Sequence, residues 1–506
     1  MDGKSRQGSE TAKGGLLACR VYKNYGLELL WEISHRGSFP SRAYKAILFS
    51  AVLCNVILFF IRFLSVLKTR GMIPASGVEG SGSLGIYNVC NGNTLYHNFA
   101  ETPNIFIFNF LFYDFYGYIL KTVAPCAEAV PLDGRVLTLG LLAFAVVSVI
   151  SIRNKVLTLL EVVLVSSTLL SVYVGWWAFA LRPDVGALAF LLAGLACAIR
   201  YFKSTNLLTG VLAVIFLAFA WGFKQPLGLA APIFLWFAFQ TNRKHVFVMA
   251  CIFMFCIISP LFFFDIQSYL THTVLAATTG RPFSFSIATS NLTSFIVKAS
   301  PLVVATIALS KLTWPTKLEE RFLLTFILTS LCLLFVMAGK PGAGDNYFFP
   351  TFGAMLIFAV YCLPRTVAPL RTFILLGYAV VSVTVTIAVL SGMGGRTSLS
   401  SDDLDRLSGL AGVINRLPEP RLVQHDDLAL PWFTTNVSTR LVVYNLDMLA
   451  ERSNEQPVHV DVKALVKNKY YAAVVIGAGS MLENYFDLNG YERARELDGI
   501  VIFLRK

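Results

Sequence analysis

Two carboxylates and three isolated cations hold the residue types in this chain that could do chemistry. Glu79 lies about a dozen residues beyond an apolar stretch that ends near residue 67, and Glu101 precedes Pro103 and the aromatic run NIFIFNFLFYDFYGYIL at 104–120. A carboxylate facing a membrane-embedded cavity, its pKa adjusted by partial burial, can deprotonate an acceptor hydroxyl or help hold a divalent metal. By composition alone, the ordinary reading of such an acid is a solvated loop residue. Arg182 in RPD, Lys224 in KQP and Lys340 in GKPGAGDNY stand singly, each beside Pro or Gly at the mouth of an apolar stretch. Such cations either snorkel to an interface or meet an anion with charge-assisted hydrogen bonds. Asp184, two residues after Arg182, pairs with it or caps the helix that follows.

Those residues are held by a membrane scaffold. The chain has 506 residues, is 56% hydrophobic and only 14% charged, and its mean hydropathy is +0.64. These values exclude an ordinary soluble domain and define a polytopic α-helical membrane protein. The formal charge of +12 does not signal nucleic acid, because the excess sits largely in short loops and in the first 45 residues. Chain orientation and anionic headgroups account for it there.

About eleven apolar stretches give the spans 46–67, 135–152, 156–175, 185–200, 205–222, 226–241, 246–264, 293–310, 320–338, 350–364 and 372–391. Basic loops at Arg153/Lys155, Arg200/Lys203, Arg243/Lys244, Lys311/Lys317/Arg321 and Arg365/Arg371 mark the cytoplasmic side. Residues 1–45 then form a cytoplasmic tail, 46–391 the transmembrane module with a first outer loop at 68–134, and 392–506 an external domain. Counting 104–120 as a crossing would put Arg153/Lys155 and Arg200/Lys203 outside, so this aromatic run is expected in the outer interface. Lys68, Arg70, Lys121, Arg135 and Arg281 are also external in this topology, so outer cations are not unique to a site.

Six of the nine cysteines fall within or at the ends of spans, and Cys19 is cytoplasmic. Cys90 and Cys126 share the first outer loop, where a disulfide can form in an oxidising compartment. Beyond residue 392 the sequence turns charged and alternating. DLDRLSGLAGVINRL reads as an amphipathic helix and RLVVYN, AAVVIG and GIVIFLRK as buried strands, which makes a small α/β domain.

The order of features resembles the membrane glycosyltransferases of the GT-C fold, whose members include protein O-mannosyltransferases and the lipid A aminoarabinose transferase. The features are an acid early in the first outer loop, Gly92, Tyr96, the Asn98-Phe99 step, an interfacial aromatic helix, then RPD, KQP and GKPGAGDNYFFP opening successive spans before a soluble external domain. The resemblance implies a sugar carried on a polyprenyl phosphate and transferred to a glycan, lipid or protein acceptor on the outer face of a bacterial inner membrane. Glu79, then Glu101, would serve as general base of an inverting transfer. Arg182, Lys224 and Lys340 would bind the donor phosphate. Tyr96, His97, Asp184, Gln225, Asp345, Asn346 and Tyr347 would contact substrate, although Gly342 and Gly344 can also mark a simple tight turn and a lone His is often just a polar loop residue.

The chain also departs from that family. Relatives often carry Asp or an Asp-Glu pair where Val78-Glu79 stands, and relatives of the lipid A enzyme have Lys-Pro-Pro where ETPN occupies 101–104. The cofactor therefore stays unassigned, with a divalent metal at Glu79 as the one candidate, and the acceptor is not carried over. The rival readings are a lipid-linked sugar flippase or transporter, which would favour broken helices with midplane polar groups and repeat symmetry, and a polysaccharide polymerase.

Overall fold

The computed structural model describes residues 41–74, 77–96, 106–152, 158–175, 177–275, 282–313, 315–340, 342–392, 400–425, 427–441, 462–479 and 482–506. His97 and Glu101 lie outside the described residues. The helical region comprises α1 (Ser41–Lys68), α2 (Gly77–Cys90), α3 (Phe110–Lys121), α4 (Cys126–Ile150), α5 (Leu159–Ser166), α6 (Pro183–Ser204), α7 (Leu207–Phe223) and α8 (Ala230–Phe239). It continues with α9 (Arg243–Ile258), α10 (Pro260–Phe263), α11 (Ile266–Leu270), α12 (Phe285–Lys298), α13 (Ser300–Thr313), α14 (Leu318–Ala338), α15 (Phe349–Cys362) and α16 (Ala368–Gly392).

Among the described residues each apolar stretch anticipated from the sequence contains helix, but not all have crossing length. Among the described residues seven are long and apolar enough to traverse a bilayer: α1, α4, α6, α9 continued by α10, α14, α15 with its flanking 3-10 turns, and α16. An eighth candidate, α12 with α13, is bent by 81° where Ala299 and Pro301 interrupt it. The stretches at α5, α7 and α8 are shorter. At 1.5 Å per residue, 17-residue α7 spans about 26 Å, just under the roughly 30 Å of a hydrocarbon core. The chain is thus a multi-pass membrane protein. Helices α6 and α15 are buried along nearly their whole length, as expected of helices apolar on all sides. The others pack around them.

The segment after α1 folds further than its sequence suggests. GVEGSGSLG reads as a loop because of its glycines, yet it forms α2. The glycines serve close packing: a Cβ on Gly85 would lie 2.4 Å from the Tyr113 ring of α3. The aromatic run becomes α3, capped by Asn109, whose side chain accepts from Phe110 N. Its 12 residues make about 18 Å of helix, too little to cross. Cys90 and Cys126 form a disulfide that ties the end of α2 to the start of α4.

The C-terminal region starts with α17 (Ser401–Ile414), whose N-terminus carries a Ser400/Asp403 capping box. It adds β1 (Arg421–Gln424), β2 (Thr439–Leu441), α18 (Val462–Lys467), β3 (Ala473–Gly477), α19 (Leu482–Tyr485), β4 (Tyr491–Leu497) and β5 (Ile500–Arg505). The five strands form one sheet in the order β2-β1-β3-β5-β4. β1 runs parallel to β2 and β3, and β5 antiparallel to β3 and β4. One face packs on α17 together with Ile73 and Leu84 of the segment after α1. The domain is thereby seated on the membrane region.

Candidate functional site

The best-defined polar cluster is organised by the N-terminus of α6. Arg182 is the N-cap residue in extended conformation, Pro183 occupies the first turn without leaving a donor unmet, and Asp184 sits where the helix dipole favours a carboxylate. Asp184 is fully buried. Its Oδ2 accepts from Arg182 Nε at 3.1 Å, and its Oδ1 accepts from Lys224 Nζ at 2.5 Å and from Asn346 Nδ2 at 2.7 Å. Lys224 comes from the break between α7 and the 3-10 turn Gln225–Leu229, and Asn346 from the 3-10 turn Asp345–Phe348 before α15. Three segments far apart in sequence are therefore joined by one carboxylate.

Aromatic rings flank both cations. The Arg182 guanidinium lies 4.4 Å from the Trp177 ring centroid and the Lys224 ammonium 4.7 Å from that of Tyr347. These contacts bring Trp177 into the site, a residue the sequence reading did not weigh. Arg182, Lys224, Asn346 and Tyr347 line a cavity of about 120 Å³, with Ile107, Phe108, Trp177 and the Gly342–Gly344 turn completing the wall. Among the described residues this cluster holds two cations and one carboxylate. Both cations reach an aromatic-flanked cavity, a setting that suits an anion such as a phosphate.

Other expected residues fall around this centre. Asp345 turns away from the cavity: its Oδ2 accepts from Ser294 Oγ at 2.7 Å and from Lys298 Nζ at 2.5 Å. The Asp345 carbonyl accepts from Tyr173 OH at 2.8 Å. Gln225 donates to the Thr273 carbonyl at 3.4 Å. Tyr96 stands behind the wall, donating to the Phe108 carbonyl at 2.9 Å and packing edge-on against Tyr269 and His272. His272, fully buried, accepts from Phe106 N at 3.1 Å, so it props the same wall. Lys340 follows α14, where its carbonyl accepts from Ala343 N at 3.0 Å. It leads into the Gly342–Gly344 turn but does not line the cavity.

Glu79 occupies a different setting from the cavity-facing one expected of it. It sits in the first turn of α2, fully buried, with Oε1 2.8 Å from Arg135 NH1 of α4 and 2.9 Å from the Leu181 amide that donates to it. It is not among the residues lining the cavity. Arg135, expected as an outer cation, is only 3% exposed. A guanidinium this close makes the carboxylate a poor partner for a divalent cation, so the Glu79 site does not fit a metal. Among the described residues no group of three metal-ligating side chains forms.

No protein-family model matches the sequence, and no curated protein matches it significantly. Solved structures do match. The chain superposes on ArnT from Cupriavidus metallidurans, solved bound to undecaprenyl phosphate, with a TM-score of 0.58 at 12% identity over 89% of this chain and 97% of that one. The apo oligosaccharyltransferase of Archaeoglobus fulgidus gives a TM-score of 0.49 at 10% identity over 87% of this chain and 70% of that one. The architecture of long and broken apolar helices with a small C-terminal sheet, matched to ArnT over almost all of both chains, is that of the GT-C fold.

Proposed function

We propose that this protein is a membrane glycosyltransferase that takes a sugar from a polyprenyl-phosphate donor. The observation that carries the reading is the pairing of Arg182 and Lys224 across Asp184 at an aromatic-flanked cavity. The shared fold with an enzyme crystallised with undecaprenyl phosphate supports it. In the transfer, an acceptor hydroxyl attacks the anomeric carbon, the carbon–oxygen bond to phosphate breaks, and polyprenyl phosphate leaves with the electron pair. Direct attack inverts the anomeric centre. Arg182 and Lys224 neutralise the charge that grows on the leaving phosphate, while Asp184 fixes their spacing and Asn346 and Tyr347 complete the wall. Lys340 is assigned to the approach to that wall.

The acceptor's proton needs a base. Among the described residues the cavity wall carries no carboxylate, and Glu79 is engaged by Arg135. The reading therefore assigns the proton to Glu101, the other carboxylate proposed from the sequence. The reading admits a glycan, lipid or protein acceptor and a hexose or a pentose. The resemblance places the transfer on the outer face of a bacterial inner membrane, and the basic loops place the N-terminus on the cytoplasmic side.

The test uses the purified protein in nanodiscs with a radiolabelled polyprenyl-phosphate sugar. Wild type should release polyprenyl phosphate in proportion to sugar transferred, and Arg182→Ala should need far more donor for the same rate. Movement of intact donor across the bilayer without release would instead identify a lipid-linked sugar transporter.

A further inference from the structure

The Glu79–Arg135 pair is a buried charge pair with an unusually complete set of partners. Arg135 Nε and NH2 donate to the Gly71 carbonyl at 3.1 and 3.0 Å, NH2 also donates to the Ile73 carbonyl at 3.0 Å, and NH1 meets both Glu79 and the Phe179 carbonyl. A planar guanidinium presents five donors in a fixed fork. Here they clasp two backbone segments, 71–73 after α1 and 179–181 before α6. The approach is tight because Gly71 has φ +68° and a Cβ there would lie 2.4 Å from the Pro131 carbonyl of α4. Only glycine lets the connector lie close enough.

Glu79 completes the clasp by accepting the Leu181 amide at 2.9 Å. The next residue is Arg182. The pair thus fixes the backbone from which the cavity's guanidinium projects. The C-terminal domain holds the same connector from outside: Trp432 Nε1 donates to the Met72 carbonyl at 2.8 Å, and Ile73 is buried in that domain's apolar cluster. Carbonyls 71, 72 and 73 are therefore taken in turn by Arg135, Trp432 and Arg135. A contiguous set of contacts runs from the sheet domain to Arg182.

We propose that Glu79 and Arg135 are positioning residues that set Arg182 against the donor phosphate, with Trp432 of the C-terminal domain as the outer support of the same device. This rests on the assignment of the cavity to a polyprenyl phosphate. It gives Glu79 a role distinct from proton transfer and gives the C-terminal domain a part in donor binding. Contacts of this kind, one step removed from a ligand, modulate affinity by a few-fold to some tens of fold.

The test measures binding of a short-chain polyprenyl phosphate, donor KM and kcat at saturating donor, and thermal stability of the full-length protein. Glu79→Gln alone leaves Arg135 as an unpaired buried charge and can unfold the chain, so the Glu79→Gln/Arg135→Gln double variant accompanies it. Trp432→Phe keeps an aromatic ring, smaller than the indole, and removes the N–H. For the double variant, polyprenyl phosphate affinity and donor KM should worsen together by about ten-fold, with kcat changed less than three-fold. Trp432→Phe should move the same two quantities in the same direction by a few-fold.

A fall in kcat of a hundred-fold or more in the folded double variant, with polyprenyl phosphate affinity unchanged, would assign Glu79 to the acceptor's proton and overturn the proposal. Unchanged affinity and turnover in both variants would overturn it too. If wild type binds polyprenyl phosphate but Arg182→Ala binds it equally well, the cavity assignment fails first. The two failures are thus told apart by the Arg182 control.

Discussion

Two buried carboxylates, Asp184 and Glu79, both contact the segment around Arg182, and each has an arginine partner. They differ in charge balance and in outlook. Among the described residues Asp184 meets two cations, and both reach a cavity wall. Among the same residues Glu79 meets one cation, Arg135, whose remaining donors go to backbone carbonyls. A buried ion pair whose charges and donors are all matched is a strut. One whose cations line an opening is a place for a ligand. The lesson is that burial and an arginine partner alone do not mark a site; what decides is whether the cation reaches a cavity that substrate can enter.

The largest effect expected from this contrast is at Asp184. Asp184→Ala removes the carboxylate that Arg182 and Lys224 share, and breaking a buried pair in this way costs about 3–5 kcal/mol. The variant should show a clearly lowered melting temperature in detergent and no transfer. If Asp184→Ala keeps wild-type stability, the cluster is better solvated than its burial indicates and the contrast with Glu79 loses its force.

Next in size is the base. Glu101→Gln should lower kcat by a factor in the range of about 10²–10⁴, the usual worth of a general base, with donor KM little altered. Near-wild-type turnover in Glu101→Gln would return the acceptor's proton to Glu79 and turn the strut into part of the reaction centre.

Single removal of the cavity cations comes third. Charge-assisted contacts to phosphate are worth roughly 1.5–3 kcal/mol each, so Arg182→Ala and Lys224→Ala should each raise donor KM about ten-fold or more. Arg182→Lys should recover only part of that loss, because a point charge cannot reproduce a planar fork. Lys340→Ala should do less than either, since Lys340 stands outside the wall. Equal effects for all three would mean that the cavity extends past the Gly342–Gly344 turn when donor is bound.

How much of this arrangement was legible in the sequence varied with the kind of signal. The apolar stretches fell on helices because twenty or so unbroken apolar residues admit little else. The start of α6 was legible in RPD, where Pro and Asp have fixed places in a first turn. Arg182, Lys224, Asp184 and Asn346 were each singled out, but not their meeting, since Asn346 and Asp184 are 162 residues apart and only the packed bundle brings them together. Helix α2 was hidden by glycines that serve packing rather than turning. Strand β4, with YERAREL exposed along most of its length, was hidden because an edge strand needs no apolar alternation. The engagement of Glu79 was hidden for the same reason as the Asp184 cluster: nothing local in the sequence names Arg135 as a partner.

The smallest expected effect concerns the aromatic flank of the Asp184 cluster. Trp177 holds the Arg182 guanidinium at 4.4 Å from its ring centroid, and a desolvated contact of this type is worth about 0.5–2 kcal/mol. Trp177→Leu keeps an apolar side chain in the wall but removes the ring quadrupole and the flat surface that restricts the guanidinium. Donor KM should rise a few-fold, with kcat and melting temperature nearly unchanged, whereas Trp177→Tyr should recover most of the loss. The decisive measurement is a double-mutant cycle with Arg182→Ala. If Trp177 acts by holding Arg182, its effect on donor KM should vanish in the Arg182→Ala background. If the effect persists at full size, Trp177 contacts the donor directly, and the aromatic flank is part of the binding surface rather than a support for the cation.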